Sequence, residues 1–496
     1  MMMLYNSTRN KNTTLSPSQA ILKGLSDDGG LFVPEKIPVM DRKIDELKEL
    51  TYRELAYEVM KLWFDDFTEE ELKKCIDSAY DDKFDTPEIA PLAYSGGAYY
   101  LELYHGKTIA FKDMALSILP YLMTTSARKN NVEDEIVILT ATSGDTGKAA
   151  LAGFADVKGT RIIVFYPKDG VSPIQKLQMV TQEGDNTLVV GVDGNFDDCQ
   201  TGVKRIFNDE DFKAEILKKG YRLSSANSIN IGRLVPQIVY YFYAYLKLLK
   251  NEKLVTGDKI NVCVPTGNFG NILAAYYAKN MGLPIDKLIC ASNDNKVLFD
   301  FFNSGVYDRN REFILTASPS MDILISSNLE RLLYHIAGND PEKTAKLMKD
   351  LSEGGKYEIT DDMKKNLESF MAGYASQEET FKEIKRVFTD TGYVLDTHTA
   401  VASSVVCALK GKHQELFNKP VVIASTASPF KFAKSVMYAI NGREDEKDDF
   451  YYVDELASKG NLVIPEAVNG IRNAAVRHRM TIAADEMKKA VTDFLK

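Results

Sequence analysis

His105-Gly106-Lys107-Thr108-Ile109-Ala110-Phe111-Lys112-Asp113-Met114-Ala115 is the stretch on which the reading of the fold turns. A short apolar run, Thr108 to Phe111, leads into a helical pattern from Met114 to Leu122, so Lys112 is expected where a strand turns into a helix, a common position for chemistry. A lysine among apolar neighbours loses solvation of its ammonium form, and its amine can then attack an aldehyde to form a Schiff base. With 61 Lys and Arg in the chain, an exposed lysine at a helix start has the same spelling, and only its company separates the two readings.

That company is an alternation of strands and helices. Short apolar runs at Ile136 to Leu139, Arg161 to Phe165 and Thr187 to Val192 are separated by helical segments at Lys148 to Asp156 and Ile174 to Val180. A second series runs through Lys259 to Val264, Leu288 to Ala291 and Pro420 to Ser425. Such alternation with short connections predicts parallel sheets covered by helices, with ligands at the carboxyl ends of the strands. Ile231 to Leu249 has the apolar spacing of one helix face, and residues 328–410 read as a long helical region. Residues 1–90 read as largely helical, with capping boxes opening at Thr51 and Thr68, and a further box opens at Ser376.

Two glycine-rich loops sit in that frame. Thr266-Gly267-Asn268-Phe269-Gly270-Asn271 follows a strand and opens a helix, so successive N–H groups and the helix dipole can receive a phosphate; an ordinary βα turn has the same spelling. Thr142-Ser143-Gly144-Asp145-Thr146-Gly147-Lys148 fails as a Walker A loop, because Thr142 replaces the first glycine and Ala149 the Mg²⁺-binding hydroxyl. It instead offers hydroxyls from Thr142, Ser143 and Thr146 to an anion. A third polar cluster, Ser224 to Asn230 followed by Arg233, adds Ser225, Asn227 and a guanidinium able to clamp a dianion, while a helix cap with a surface arginine remains open.

Composition bounds the partners. At 496 residues, 45% hydrophobic and with net charge -9, the chain predicts a multidomain globular protein without a basic field for nucleic acid. Five scattered cysteines without metal-ligand spacing read as buried thiols in a reducing compartment. The best apolar run, Ile238 to Leu246, is too short to cross a bilayer, so a cytoplasmic protein with no membrane partner is expected.

Taken together, Ala110 to Ala115, Thr140 to Gly147 and Pro265 to Asn271 resemble the threonine synthases, in their long bacterial and fungal form, within the fold-type II pyridoxal-phosphate enzymes. The resemblance continues through Asp27 to Pro34, Ser224 to Gln237, Ser318 to Ile323 with Ser326 to Arg331, and Asp396 to Ala400. It implies an α/β architecture in three parts: an extension over 1–90, a smaller mobile domain over 91–220 and a larger cofactor-binding domain over 221–496. It implies that Lys112 holds pyridoxal 5'-phosphate, that Gly267, Asn268, Phe269, Gly270 and Asn271 bind its phosphate, that Asp145 lies near its 3'-oxygen and that Thr426 faces its ring nitrogen. The implied reaction is a carbon–oxygen lyase step from O-phospho-L-homoserine and water to L-threonine and phosphate, in a monomer or homodimer. Thr142, Ser143, Thr146, Ser225, Asn227 and Arg233 are then expected around the substrate. The chain departs from the family pattern at Ser428-Pro429-Phe430, where relatives carry His-Pro-Ala.

Overall fold

The computed structural model describes residues 2–142, 144–169, 171–443 and 446–496. Its larger sheet has six strands in the order Phe370–Tyr374, Ile285–Ser292, Ile260–Pro265, Val421–Ser425, Ala98–Glu102 and Leu92–Ser95. Its neighbours pair in parallel except at the Leu92–Ser95 edge, which forms an antiparallel hairpin with Ala98–Glu102. Ile260–Pro265 is buried along its whole length, as a central parallel strand covered on both faces must be.

The smaller sheet has five parallel strands in the order Met480–Ala483, Thr187–Asp193, Thr160–Pro167, Glu135–Ala141 and Tyr221–Ser224. These sheets do not follow the expected divisions near 91 and 220. The Leu92–Glu102 hairpin belongs to the larger sheet, and the C-terminal strand Met480–Ala483 returns to the edge of the smaller one. A boundary read along the chain misses such returns because sheet membership is decided by hydrogen bonding between distant segments.

The N-terminal part carries the three expected capping boxes' first two, at Thr51 and Thr68, and the Ser376 box also forms. It is less helical than expected, since Tyr5–Ser7 pairs antiparallel with Thr14–Leu15 and with Phe32–Pro34. The long helix is two: Ile231–Leu234 and Pro236–Lys250, the second opened by a proline whose missing N–H costs nothing in a first turn. That second helix is buried nearly all round rather than on one face, with Tyr240 and Tyr241 in the core. Residues 328–410 are interrupted by strands Lys356–Glu358 and Phe370–Tyr374, runs too short for periodicity to distinguish from helix.

Candidate functional site

The expected site residues follow the carboxyl ends of four parallel strands. Lys112 lies after Ala98–Glu102, Asp145 after Glu135–Ala141, the 267–271 turn after Ile260–Pro265, and Thr426 directly after Val421–Ser425. Lys112 itself precedes the short helix Asp113–Leu116, but Thr108 to Phe111 is not the strand expected from its apolar run. Ala110 makes one isolated bridge to Ala427, and Ile109 holds φ at +51°, a strained position for a β-branched residue. The segment is fastened instead by Asp113, whose carboxylate accepts from Thr108 N at 2.8 Å and Thr108 Oγ1 at 2.6 Å.

Lys112 Nζ donates to Asp145 Oδ2 at 3.2 Å and to Ser320 Oγ at 3.1 Å. Burial is the largest influence on this amine and lowers its pKa; Asp145 opposes, while the positive charges of Lys431 and Arg233 push the same way as burial. Burial alone would raise the Asp145 carboxyl, but Lys112 and Lys431 outweigh it and hold the group well below the carboxylate range. Asp145 also accepts from Gln175 Nε2 at 2.8 Å and Ser320 Oγ at 2.8 Å. The site thus pairs an amine whose pKa burial lowers with a carboxylate that its neighbouring cations keep ionised.

The turn at Gly267 is built for close approach. A Cβ there would meet the Ser320 carbonyl oxygen at 2.4 Å, so only glycine lets the turn lie against the segment that touches Lys112. Phe269 is left-handed at φ +67° and stands at the N-terminus of Gly270–Asn280, which no side chain caps. Its first N–H groups are therefore free of intrahelical partners. The carbonyls of Gly267 and Asn268 are tied back by Ser326 Oγ at 2.7 Å and Asn328 N at 3.0 Å. Asn271 accepts from Tyr240 OH at 2.9 Å and from Tyr241 OH, while its buried Nδ2 has no partner.

Arg233 is the second unfinished donor. Its Nη1 donates to Ala226 O at 2.7 Å, its buried Nε meets no partner, and burial brings the guanidinium down to about 10. Thr426 is fixed by its backbone, accepting from Phe111 N at 2.8 Å and donating to Thr399 Oγ1 at 3.3 Å, which leaves its hydroxyl directed by neither bond. The departure at Ser428 to Phe430 packs without disturbance: Ser428 N donates to Ile109 O at 3.0 Å and Phe430 is buried.

Other expected residues are placed less simply. Thr142 Oγ1 accepts from Gly144 N at 2.9 Å and Gly147 N at 3.1 Å, bracing the loop. Ser225 Oγ accepts from Asn227 N at 3.2 Å, Asn227 is exposed and Thr146 is half-buried. Ser143 lies outside the described residues. Of the five thiols read as buried, Cys407 is exposed.

Ser320, His398, Gln175 and Lys431 enter the site without a role assigned from sequence. Ser320 and His398 lie in the quoted runs Ser318 to Ile323 and Asp396 to Ala400, whose resemblance to the family was the available signal. Gln175 carried none.

Residues 4–80 match the family described as "Threonine synthase N terminus", and residues 93–426 match "Pyridoxal-phosphate dependent enzyme". Threonine synthase of Schizosaccharomyces pombe is 37% identical, over 89% of this chain and 90% of that protein. The chain belongs to the threonine synthase family. A crystal structure of PLP-bound threonine synthase from Brucella melitensis superposes with a TM-score of 0.85 at 34% identity, covering 99% of this chain and 98% of that one. Human "Threonine synthase-like 1" is 42% identical over 86% of this chain, and the chain spans 58% of that protein's length. Within this threonine synthase fold, the donor set fits pyridoxal 5'-phosphate. Asn271 Nδ2 is a buried donor without a partner, Gly267 admits no side chain, and Lys112 presents a buried amine bonded to Ser320, the residue against which Gly267 packs. Among the described residues no cluster suits a metal ion, and no helix is long and apolar enough to cross a membrane.

Proposed function

We propose that this chain is a threonine synthase, converting O-phospho-L-homoserine and water to L-threonine and phosphate with pyridoxal 5'-phosphate. One observation supports the reading above others: the buried Arg233 guanidinium, whose Nε has no hydrogen-bond partner among the described residues, lies near enough for its charge to act on the Lys112 amine. An amine that shares its site with an unneutralised cation suits a substrate whose amino-acid end reacts while its phosphate end is held.

In this reading Lys112 carries the cofactor, the 267–271 turn receives its phosphate, and Thr426 offers a neutral hydroxyl to its ring nitrogen. Asp145 would lie near its 3'-oxygen. The cofactor, once bound, supplies an electron sink for carbanions formed on the substrate. Lys112 would accept the proton from the substrate's Cα. Asp145 and Ser320 hold the Lys112 amine in place, since both bond it directly. Arg233 holds the departing phosphate, with hydroxyls of Thr142, Ser143, Thr146 and Ser225 and the Asn227 amide as further donors. Closure of the smaller α/β unit over the larger one would exclude water until it is needed at Cβ.

We place the protein in the cytoplasm as a monomer or homodimer; the unpaired thiols of Cys75, Cys199, Cys263, Cys290 and Cys407 support a reducing compartment. The test is to incubate purified protein and cofactor with O-phospho-L-homoserine, and to measure phosphate and threonine separately. Equal yields of both are expected, with loss of both and of cofactor colour in Lys112→Ala. Phosphate without threonine would make the protein a lyase with another product, and release of neither would end the reading.

A further inference from the structure

Asp145 serves two lysines. Its Oδ2 faces Lys112 Nζ at 3.2 Å, and its Oδ1 faces Lys431 Nζ at 3.0 Å. The Lys431 side chain is 0% exposed, and its amine also donates to Thr108 O at 2.9 Å. A fully buried ammonium carries a desolvation penalty that a well-packed apolar side chain would avoid, so structure alone gives little reason to keep one here.

The reason lies in what Asp145 would otherwise do. A carboxylate within about 4 Å of one buried amine stabilises its charged form and holds the proton on it. An amine that attacks an aldehyde or accepts a proton from carbon must first be neutral. We propose that Lys431 is a second functional lysine, a tuning residue that shares Asp145 with Lys112 and so lets the Lys112 amine shed its proton at working pH. This rests on Lys112 being the cofactor-holding amine.

The surrounding charges are consistent with that division. Lys112 is faced by Asp145, Lys431 and Arg233, and the His398 imidazole lies near Asp145. Lys431 is in turn faced by Asp113 and Lys148. Lys148, whose amine donates to Gln182 Oε1 at 2.9 Å, is brought by burial to about 7, with Asp113 opposing and Lys431 adding. Asp113 is occupied by Thr108, in the turn whose carbonyl holds Lys431. The cations around Lys112 therefore outnumber the carboxylate that touches it, and Lys431 is the one bonded to that carboxylate's other oxygen.

The experiment uses the cofactor-free full chain. Pyridine-4-carboxaldehyde with cyanoborohydride labels neutral amines, and peptide mass spectrometry reads the label at Lys112 across neutral to alkaline pH. Lys431→Met should move the labelling midpoint to higher pH and slow labelling at neutral pH by roughly tenfold, while Lys431→Arg should follow the wild type. An unchanged or lower midpoint in folded Lys431→Met overturns the proposal. Should Lys431→Met not fold, Lys431→Gln takes its place with the same expected shift, and an unchanged or lower midpoint in that variant also overturns the proposal. A Lys112→Ala chain that still develops cofactor colour would instead sink the assignment of Lys112, a result separable from either outcome at Lys431.

Discussion

The backbone N–H of Ser320 donates to His398 Nε2 across 3.1 Å. An accepting Nε2 carries no proton, so the imidazole proton sits on Nδ1, which faces Asp396 Oδ1 at 3.1 Å. Asp396 is fixed at the head of the helix Thr397–Lys412, where it caps His398 N and Thr399 N. The chain of bonds therefore runs from a helix N-terminus through an oriented imidazole to the residue whose hydroxyl touches Lys112 Nζ. His398 acts through Ser320 and is a positioning residue. His398→Leu is expected to lower kcat by roughly tenfold to a hundredfold, the scale of a small misplacement of reacting groups, with KM for the phosphorylated substrate little changed. His398→Gln, which can still accept from Ser320 N, should recover most of the loss. Steady-state kinetics of both variants check this, and equal damage in the two would remove the hydrogen bond from the account.

Ser320 also limits the opposite wall. Its carbonyl oxygen would lie 2.4 Å from a Cβ at Gly267, and because that oxygen belongs to backbone, relief requires moving the turn or the Pro319–Met321 segment. Gly267→Ala should cost about 1–3 kcal/mol in stability, as overpacking does. It should also weaken cofactor affinity more than Gly411→Ala, a control position with nothing within 4 Å and, like Gly267, no left-handed φ. Titration of each apo variant with pyridoxal 5'-phosphate, followed by its visible absorbance, measures the difference.

These two relationships mark where sequence reading stops. The capping boxes at Thr51, Thr68 and Ser376 were legible because donor and acceptor lie three residues apart and depend on no other segment. The turn at Gly267 was legible for a similar reason, since strand, glycines and helix follow one another directly. Lys431, Gln175, Ser320 and His398 converge on Asp145 or its neighbours from separate stretches of chain, and no local pattern says that they meet. The same limit explains the sheet edges: Met480–Ala483 and Phe370–Tyr374 are short strands whose partners lie in distant segments. Thr108 to Phe111 reads as a strand by composition, but the Asp113 carboxylate bonded to Thr108 folds it into a tight turn.

Arg233 carries a prediction about binding rather than chemistry. Its guanidinium is buried, bonded to a carbonyl and unpaired at Nε, and among the described residues it makes no ion pair with a carboxylate. A bound phosphate would supply the missing charge-assisted bonds. Arg233→Met should raise KM for O-phospho-L-homoserine by about tenfold or more, the worth of one lost bond to a charged group, with the cofactor's absorbance band retained. Arg233→Lys should restore little, because an ammonium cannot reproduce the planar fork. A variant whose KM is unchanged would place the substrate's phosphate elsewhere.

The last prediction concerns pH and the loop before Lys112. His105 Nδ1 lies 2.6 Å from Asp85 Oδ1 and its Nε2 lies 3.0 Å from Glu102 Oε2, so the ring joins the end of strand Ala98–Glu102 to the segment at Asp85. Burial pulls the imidazole down, but the hydrogen bonds and charges of the two carboxylates outweigh it and carry the group from 6.5 to about 9. Because the folded value lies above the unfolded one, the contribution to stability is fully present below pH 6.5 and is lost as pH rises through about 9. His105→Gln should therefore cost about 2 kcal/mol near pH 6, where hydrogen bonds to charged groups are lost, and much less at alkaline pH. Thermal melts of wild type and variant across that range should converge as pH rises. If the gap between them stays constant, the ring contributes by packing, as its stacking on Tyr104 with centroids 4.9 Å apart would allow, and not by its charge.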